Sequence, residues 1–180
     1  MVHPTAGVVQ QSFEYGSRRH EDCPVWNHLS RHQISFSMED SVAQLETAVE
    51  QNPDDAKALV ALANAYWLTG RGPETVAELA SRAIAADPDN RGAWHLWALA
   101  ESDPRARLGR WQQVSGRFPK DDLARANVAD NAAALAGAEH DYDALDLAIA
   151  TYEQLLSTAE QKEQREALDN ALRSLRGWKF

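Results

Sequence analysis

Cysteine is nearly absent from this 180-residue chain: Cys23 stands alone, so no disulfide can close within it. Long apolar runs are missing too, and none approaches the roughly 18 residues that a membrane-spanning helix needs. The opening residues Met1-Val2-His3-Pro4-Thr5-Ala6-Gly7 lack the charged leader and apolar stretch of a secretory signal, and the expected setting is cytoplasmic and reducing. Positive charge is scarce. Eighteen Lys and Arg face 27 Asp and Glu, a net charge of −9, which excludes non-specific binding of nucleic acid or of an anionic membrane by the protein as a whole. Sites of covalent chemistry are equally thin. There is no Gly-x-Ser-x-Gly turn and no His-Glu-x-x-His helix. Gly70-Arg71-Gly72-Pro73 puts a proline where a phosphate loop needs amides and lacks the Lys-Ser/Thr pair. The expectation is a protein that is not an enzyme and needs no cofactor.

What the chain has in abundance is alanine, 31 residues of it, of which only Ala6 falls before Met38. Alanine is the best helix former, and no sustained alternation of polar and β-branched residues competes with it, so the alanine-rich part reads as all-helical. Residues 1–37 instead hold four of the six histidines and the cysteine, and are formally neutral, which leaves the whole −9 to residues 38–180. Met38-Glu39-Asp40-Ser41 reads as a natural start followed at once by a helix N-terminus, where carboxylates complement exposed amides. Residues 1–37 are therefore expected to be a poorly ordered extension, and residues 38–180 the folded domain.

Three boundary motifs punctuate that domain: Asn52-Pro53-Asp54-Asp55, Asp87-Pro88-Asp89-Asn90 and Phe118-Pro119-Lys120-Asp121-Asp122, their prolines 35 and 31 residues apart. Proline halts one helix and the following Asp or Asn caps the next. Spacing of this length is that of stacked helical hairpins. Between Pro53 and Pro88, Leu59, Leu62, Ala63 and Tyr66 share one helical face, Gly70 turns the chain, and Val76, Ala80, Ala83 and Ile84 face inward from a second helix. This segment resembles the tetratricopeptide repeat, with one extra residue around Arg71-Gly72-Pro73. Leu45, Ala48 and Val49 read as the second helix of a truncated preceding repeat. Ala93, Trp94, Trp97 and Ala98 repeat the first-helix pattern until Ser102-Asp103-Pro104 stops it about one turn early. Leu145, Ala148, Ile149, Tyr152, Leu155 and Leu156 keep helical spacing further on. A final helix near Glu160 to Arg176, with an Asp169–Arg173 pair on its outside, reads as a cap ended by Gly177. Trp178 and Phe180 then either fold back on the core or remain as an aromatic anchor. The resemblance implies an all-α, right-handed solenoid of about seven to eight helices with a C-terminal capping helix.

Local chemistry divides into four features, each with a structural alternative. His20, Cys23, His28 and His32 are spaced almost like a zinc knuckle but carry the wrong ligand types and no intervening glycine, so no metal is expected. His140-Asp141-x-Asp143 suits acid–base work less well than a helix start. Arg105, Arg107, Arg110, Arg117 and Lys120 give +5 between Pro104 and Lys120 with no acidic residue. Of these, Arg107, Arg110 and Arg117 form a stripe that either pairs with neighbouring acids or docks an acidic segment or phosphate. Finally, the resemblance implies a concave groove lined by the first helix of each hairpin. It places Lys57, Asn64, Trp67 and His95 there, with Asn127 and Asp130 if the later hairpin keeps the pattern. Asn64 matches a position that clamps a C-terminal carboxylate in some family members, but Val60 stands where a lysine belongs, and carboxylate capture is not expected. Leu45 to Tyr66 is also similar to the tetratricopeptide domain of bacterial cytochrome c assembly proteins, which hold unfolded apoprotein.

Two readings of function follow from the resemblance. The first is a non-catalytic module that binds a peptide or helical segment of a partner protein in the groove. The second is an accessory subunit or assembly chaperone of a larger enzyme, docking through the arginine-rich helix and the C-terminus. Neither involves nucleic acid or membrane, and the oligomeric state is left open.

Overall fold

The computed structural model describes the backbone of residues 31–178 and the side chains of residues 40–178. The chain divides into two units, Met1–Ser41 and Val42–Phe180, and the second carries all that follows. Among the described residues there are eight helices and no strand: α1 (Arg31–Gln51), α2 (Ala56–Thr69), α3 (Pro73–Ala86), α4 (Arg91–Leu99), α5 (Pro104–Arg117), α6 (Asp122–Glu139), α7 (Tyr142–Thr158) and α8 (Lys162–Arg176). From α2 onward each helix packs on the next, and α2 also touches α4. This is the pattern of stacked hairpins α2/α3, α4/α5 and α6/α7, closed by α8.

The helices begin where the sequence supplies an acceptor for their first free amides. Asp55 accepts from the amides of Lys57 and Ala58 at 2.9 and 3.2 Å. Asn90, Asp103, Asp121 and Asp141 do the same for α4 to α7 at 2.7–3.2 Å. In all three proline motifs the cap is the second residue after the proline, because the proline takes the second position of a β-turn whose last amide, that of the cap, donates to the carbonyl before the proline at 2.9–3.2 Å. Gly70 ends α2 at φ 72°, a left-handed conformation that glycine adopts without strain.

Two apolar clusters fill the interior. One gathers Val42 and Val49 of α1 with Leu59, Leu62, Val76, Leu79 and the alanines of α2 and α3, and ends on Ala93, Leu96 and Ala100. The other runs from Ala98 through Trp111, Val128 and Leu135 to Leu172 and Leu175. Ala63, Ala80, Ala83, Ala129, Ala132 and Ala148 are fully buried, which lets neighbouring helices approach closely. Nine-residue α4 lies where the two clusters meet.

Several expectations need adjustment. Helix α1 starts at Arg31 rather than at Met38, since no proline or glycine interrupts the run, so Glu39 and Asp40 sit inside the helix. Helix α4 is five residues shorter than fourteen-residue α2, more than the single turn expected, because Asp103 is held extended before Pro104 and the chain needs residues 100–103 to reach it. Helix α8 starts at Lys162, and Arg173 donates to Asn170 rather than pairing with Asp169. Trp178 folds back: a Cβ at Gly137 would meet its indole at 3.3 Å. Phe180 lies outside the described residues.

Candidate functional site

On α2 the side opposite Leu59 and Leu62 carries Lys57, Val60, Asn64, Trp67 and Leu68, all within about 100° of a wheel with 3.6 residues per turn. Leu59 and Leu62 hold the helix by burial, so this stripe is forced outward. It turns toward α4, where the absence of a side chain at Gly92 allows contact: a Cβ there would sit 3.4 Å from Val60 Cγ1. Lys57 and Asn64 are exposed and Trp67 is half-buried. Leu68 is 67% exposed. Beside Trp67 opens a shallow, largely apolar cleft of about 290 Å³ between the end of α2 and the start of α3, walled by Tyr66, Pro73 and Val76. Its rim is fixed by Glu46 of α1, which accepts from Tyr66 Oη at 2.6 Å and pairs with Arg71 at 3.2 Å. The Arg71 guanidinium lies 4.9 Å over the Tyr66 ring. The bond to Glu46, followed by burial, raises the Tyr66 pKa.

The remaining groove residues are bound into the fold. His95 Nε2 lies 2.7 Å from Asp121 Oδ2, with its ring 5.5 Å from Trp111. Asp121 is buried, caps α6 through Oδ1, and has Arg91 at 3.7 Å. Burial opposes its charged form, yet the Ala124 amide, His95 and Arg91 outweigh that and hold the carboxyl below its usual range. Asp130 accepts a hydrogen bond from Tyr152 Oη of α7, whose pKa is driven upward by burial and then by the Asp130 charge. Asn127 Nδ2 donates to the Leu123 carbonyl at 2.9 Å. The six candidates therefore do not converge. Lys57, Asn64 and Trp67 form one continuous surface with no side-chain hydrogen bond among the described residues, while His95, Asn127 and Asp130 serve inter-helix or intra-helix bonds.

The arginine stripe of α5 has a local task. A helix that stops early leaves carbonyls without amide partners, and cations satisfy them well. Arg110 donates to the Trp97 carbonyl at 2.7 Å and pairs with Glu101 at 2.6 Å. Arg107 donates to the Glu101 carbonyl at 3.0 Å and to Asn131 at 2.8 Å. Arg117 reaches the Pro88 carbonyl at 2.9 Å and Asp89 at 2.7 Å. Arg105 pairs with Glu139 and with Asp141. Of the two alternatives read from sequence, internal pairing is what these side chains do. Arg110→Ala should lower stability by about 2 kcal/mol, since a shielded charged donor is lost, or roughly 4–8 °C in melting temperature. Arg117→Ala, at a surface pair, should change it little; equal effects in thermal melts would contradict this division.

No group of three or more His, Cys, Asp or Glu able to hold a metal occurs among the described residues. His20, Cys23 and His28 lie outside them, as does the side chain of His32. Asp141 caps α7 through the Ala144 amide at 3.0 Å. That bond, then Arg105, lowers its pKa, so the carboxylate stays charged in a structural role. Asp121 and Glu101 were not singled out from sequence. Asp121 looks like any other post-proline cap, and its partner His95 is 26 residues away.

Comparison with known proteins is informative only at the level of structure. Neither a protein-family model nor a curated protein matches the chain. Two crystal structures of MamA resemble it. One aligns with a TM-score of 0.54 at 12% identity, covering 80% of this chain and 90% of that one. Another aligns with a TM-score of 0.53 at 12% identity, covering 79% and 83%. The fold is thus an all-α, tetratricopeptide-like solenoid.

Proposed function

We propose that the helical domain is a non-catalytic interaction module that takes an extended or helical segment of a partner protein along the α2 side of the groove, with Trp67 as its apolar anchor. The observation that carries this is the split among the groove residues. Lys57 and Asn64 are exposed with no side-chain hydrogen bond among the described residues, and half-buried Trp67 packs on the first core cluster and borders an apolar cleft of about 290 Å³, while their counterparts on α4 and α6 are consumed. Asn64 supplies a donor and an acceptor for a partner's backbone, Lys57 a charge, and Trp67 contact area at low entropic cost. The His140 to Asp143 segment is spent on capping, which supports a role without catalysis. Net charge of −9 disfavours nucleic acid, no helix among the described residues is long and apolar enough to cross a membrane, and a lone cysteine suits a reducing, cytoplasmic setting.

The test is a comparison of the wild-type chain with Asn64→Ala and Trp67→Ala in affinity capture from the source cells, followed by measurement with each purified partner. A partner using this face should bind at least tenfold more weakly to Trp67→Ala, while melting temperature moves by only a few degrees. Retention of every partner with unchanged affinity would remove the assignment.

A further inference from the structure

A second recess lies away from the α2 stripe, between α3 and α5 with α4 as its floor. Trp94 and Trp97 form the floor, edge to face at 5.6 Å and 85°. Ser81 and Ile84 of α3 and Gln113 of α5 form the walls, enclosing about 250 Å³. That is below the range of about 300–1,000 Å³ usual for small-molecule sites and suits one anchoring side chain of a protein partner. The floor is preformed. Trp94 Nε1 donates to the Pro88 carbonyl at 2.9 Å, and the Arg110 guanidinium lies 4.5 Å over Trp97.

The rim carries both signs of charge, with its cations gathered at the α5 end. Arg117 lies 5.6 Å over Trp94 and 5.8 Å over Phe118, with its Nε held by the Pro88 carbonyl. Its acidic partner Asp89 is 90% exposed, so that ion pair is a weak surface contact which an incoming carboxylate can replace. Lys120 follows three residues later, exposed. Arg107 and Arg110 are committed to α4 and Glu101. On the opposite wall Glu78, exposed one turn before Ser81, repels acid from that end and so sets a direction.

We propose that the Trp94–Trp97 recess is a second docking site, independent of the α2 stripe, for a protein segment that pairs an apolar anchor with an adjacent carboxylate: the anchor enters between Ser81 and Gln113, and the carboxylate takes the place of Asp89 on Arg117, with Lys120 beside it. Charge complementarity argues for this occupant. Of the five cations between Pro104 and Lys120, Arg105, Arg107 and Arg110 are spent within the fold, which leaves Arg117, with its exposed and exchangeable partner, and Lys120 to receive a carboxylate in a chain whose net charge of −9 repels it elsewhere.

The experiment uses the full chain, with indole N–H resonances assigned by single Trp→Phe variants. Three probes are titrated: a synthetic peptide with two leucines flanked by aspartates, the same peptide with lysines for aspartates, and inorganic phosphate. The aspartate peptide should shift the Trp94 and Trp97 signals and leave Trp67 in place. Its affinity should fall several-fold at high salt, at least tenfold with Ser81→Glu, which fills and charges the mouth from an exposed helix position, and several-fold with Lys120→Glu. Both variants should melt like wild type. An equal response to the lysine peptide, the same shifts with phosphate alone (an adventitious ion only), shifts confined to Trp67, or no shift at millimolar peptide would each overturn the proposal. None of these outcomes depends on whether Trp67→Ala weakens partner capture.

Discussion

Trp111→Ala is expected to cost about 3–5 kcal/mol, the range for truncating a large buried aromatic, and to lower the melting temperature by roughly 6–20 °C. Trp111 is 1% exposed. It belongs to the cluster that joins α5 to α6, α7 and α8, and it backs the His95 ring at 5.5 Å. The cluster it belongs to is rich in small residues: Ala98, Ala124 and Ala129 are fully buried and offer no side chain to swing into the space. Trp111→Phe separates volume from polarity. No protein group accepts from Trp111 Nε1, so removing that N–H breaks no protein hydrogen bond, and the loss should be about 1–2 kcal/mol. Thermal or denaturant unfolding of the two variants decides the matter. A Phe variant as damaged as the Ala variant would mean that the indole N–H matters and the volume does not.

Asp121→Ala should cost about 2–4 kcal/mol, the sum of a lost helix cap and of a lost hydrogen bond between a buried carboxylate and His95. The carboxylate simultaneously starts α6, holds His95 of α4 and has Arg91 nearby, so it ties the second hairpin to the third. Its dependence on acidity has a definite sign. Because its folded pKa lies below the ordinary carboxyl value, the unfolded chain takes up the proton first as pH falls. The stabilisation is therefore complete above about pH 4 and is lost as pH drops through the lower folded value. Asp121→Asn keeps an oxygen for the Ala124 amide but has no charge to titrate. Its melting-temperature deficit relative to wild type should close below about pH 4; a deficit that persists to pH 2.5 would show that the charge contributes nothing. Chevron or hydrogen-exchange measurements should also find the α6 amides the most affected in the Ala variant.

The hairpin architecture was legible because it depends on near neighbours. Leu59, Leu62, Ala63 and Tyr66 announce a helix face by spacing alone, and the Asp or Asn two residues past the proline of each boundary motif announces where the next helix starts. The site was only half legible, for the same reason. The pattern places Lys57, Asn64, Trp67 and His95 on equivalent faces, yet it carries no information about a carboxylate 26 residues away that engages His95, nor about Tyr152 reaching Asp130 across 22 residues. The guanidiniums of α5 were visible as a charge excess. Pairing with neighbouring acids was one of the two uses read for them; their donation to the Trp97 and Glu101 carbonyls was not, since it follows from where α4 ends in space relative to α5. The start of α1 was missed because a methionine followed by acids satisfies the rules for a helix beginning equally well inside a continuing helix.

A rod cut short within a tandem array leaves main-chain valence unmet, and in this protein the repair lies on the next rod. Nine-residue α4 and the guanidiniums of Arg107 and Arg110 work as one unit: the short helix leaves the Trp97 and Glu101 carbonyls open, and the two side chains answer them. Descendants that regain full length at this repeat are released to lose both arginines, whereas those that stay short must keep them or find another donor. The two changes should covary through the lineage, a signature that peptide docking by the same side chains would not leave.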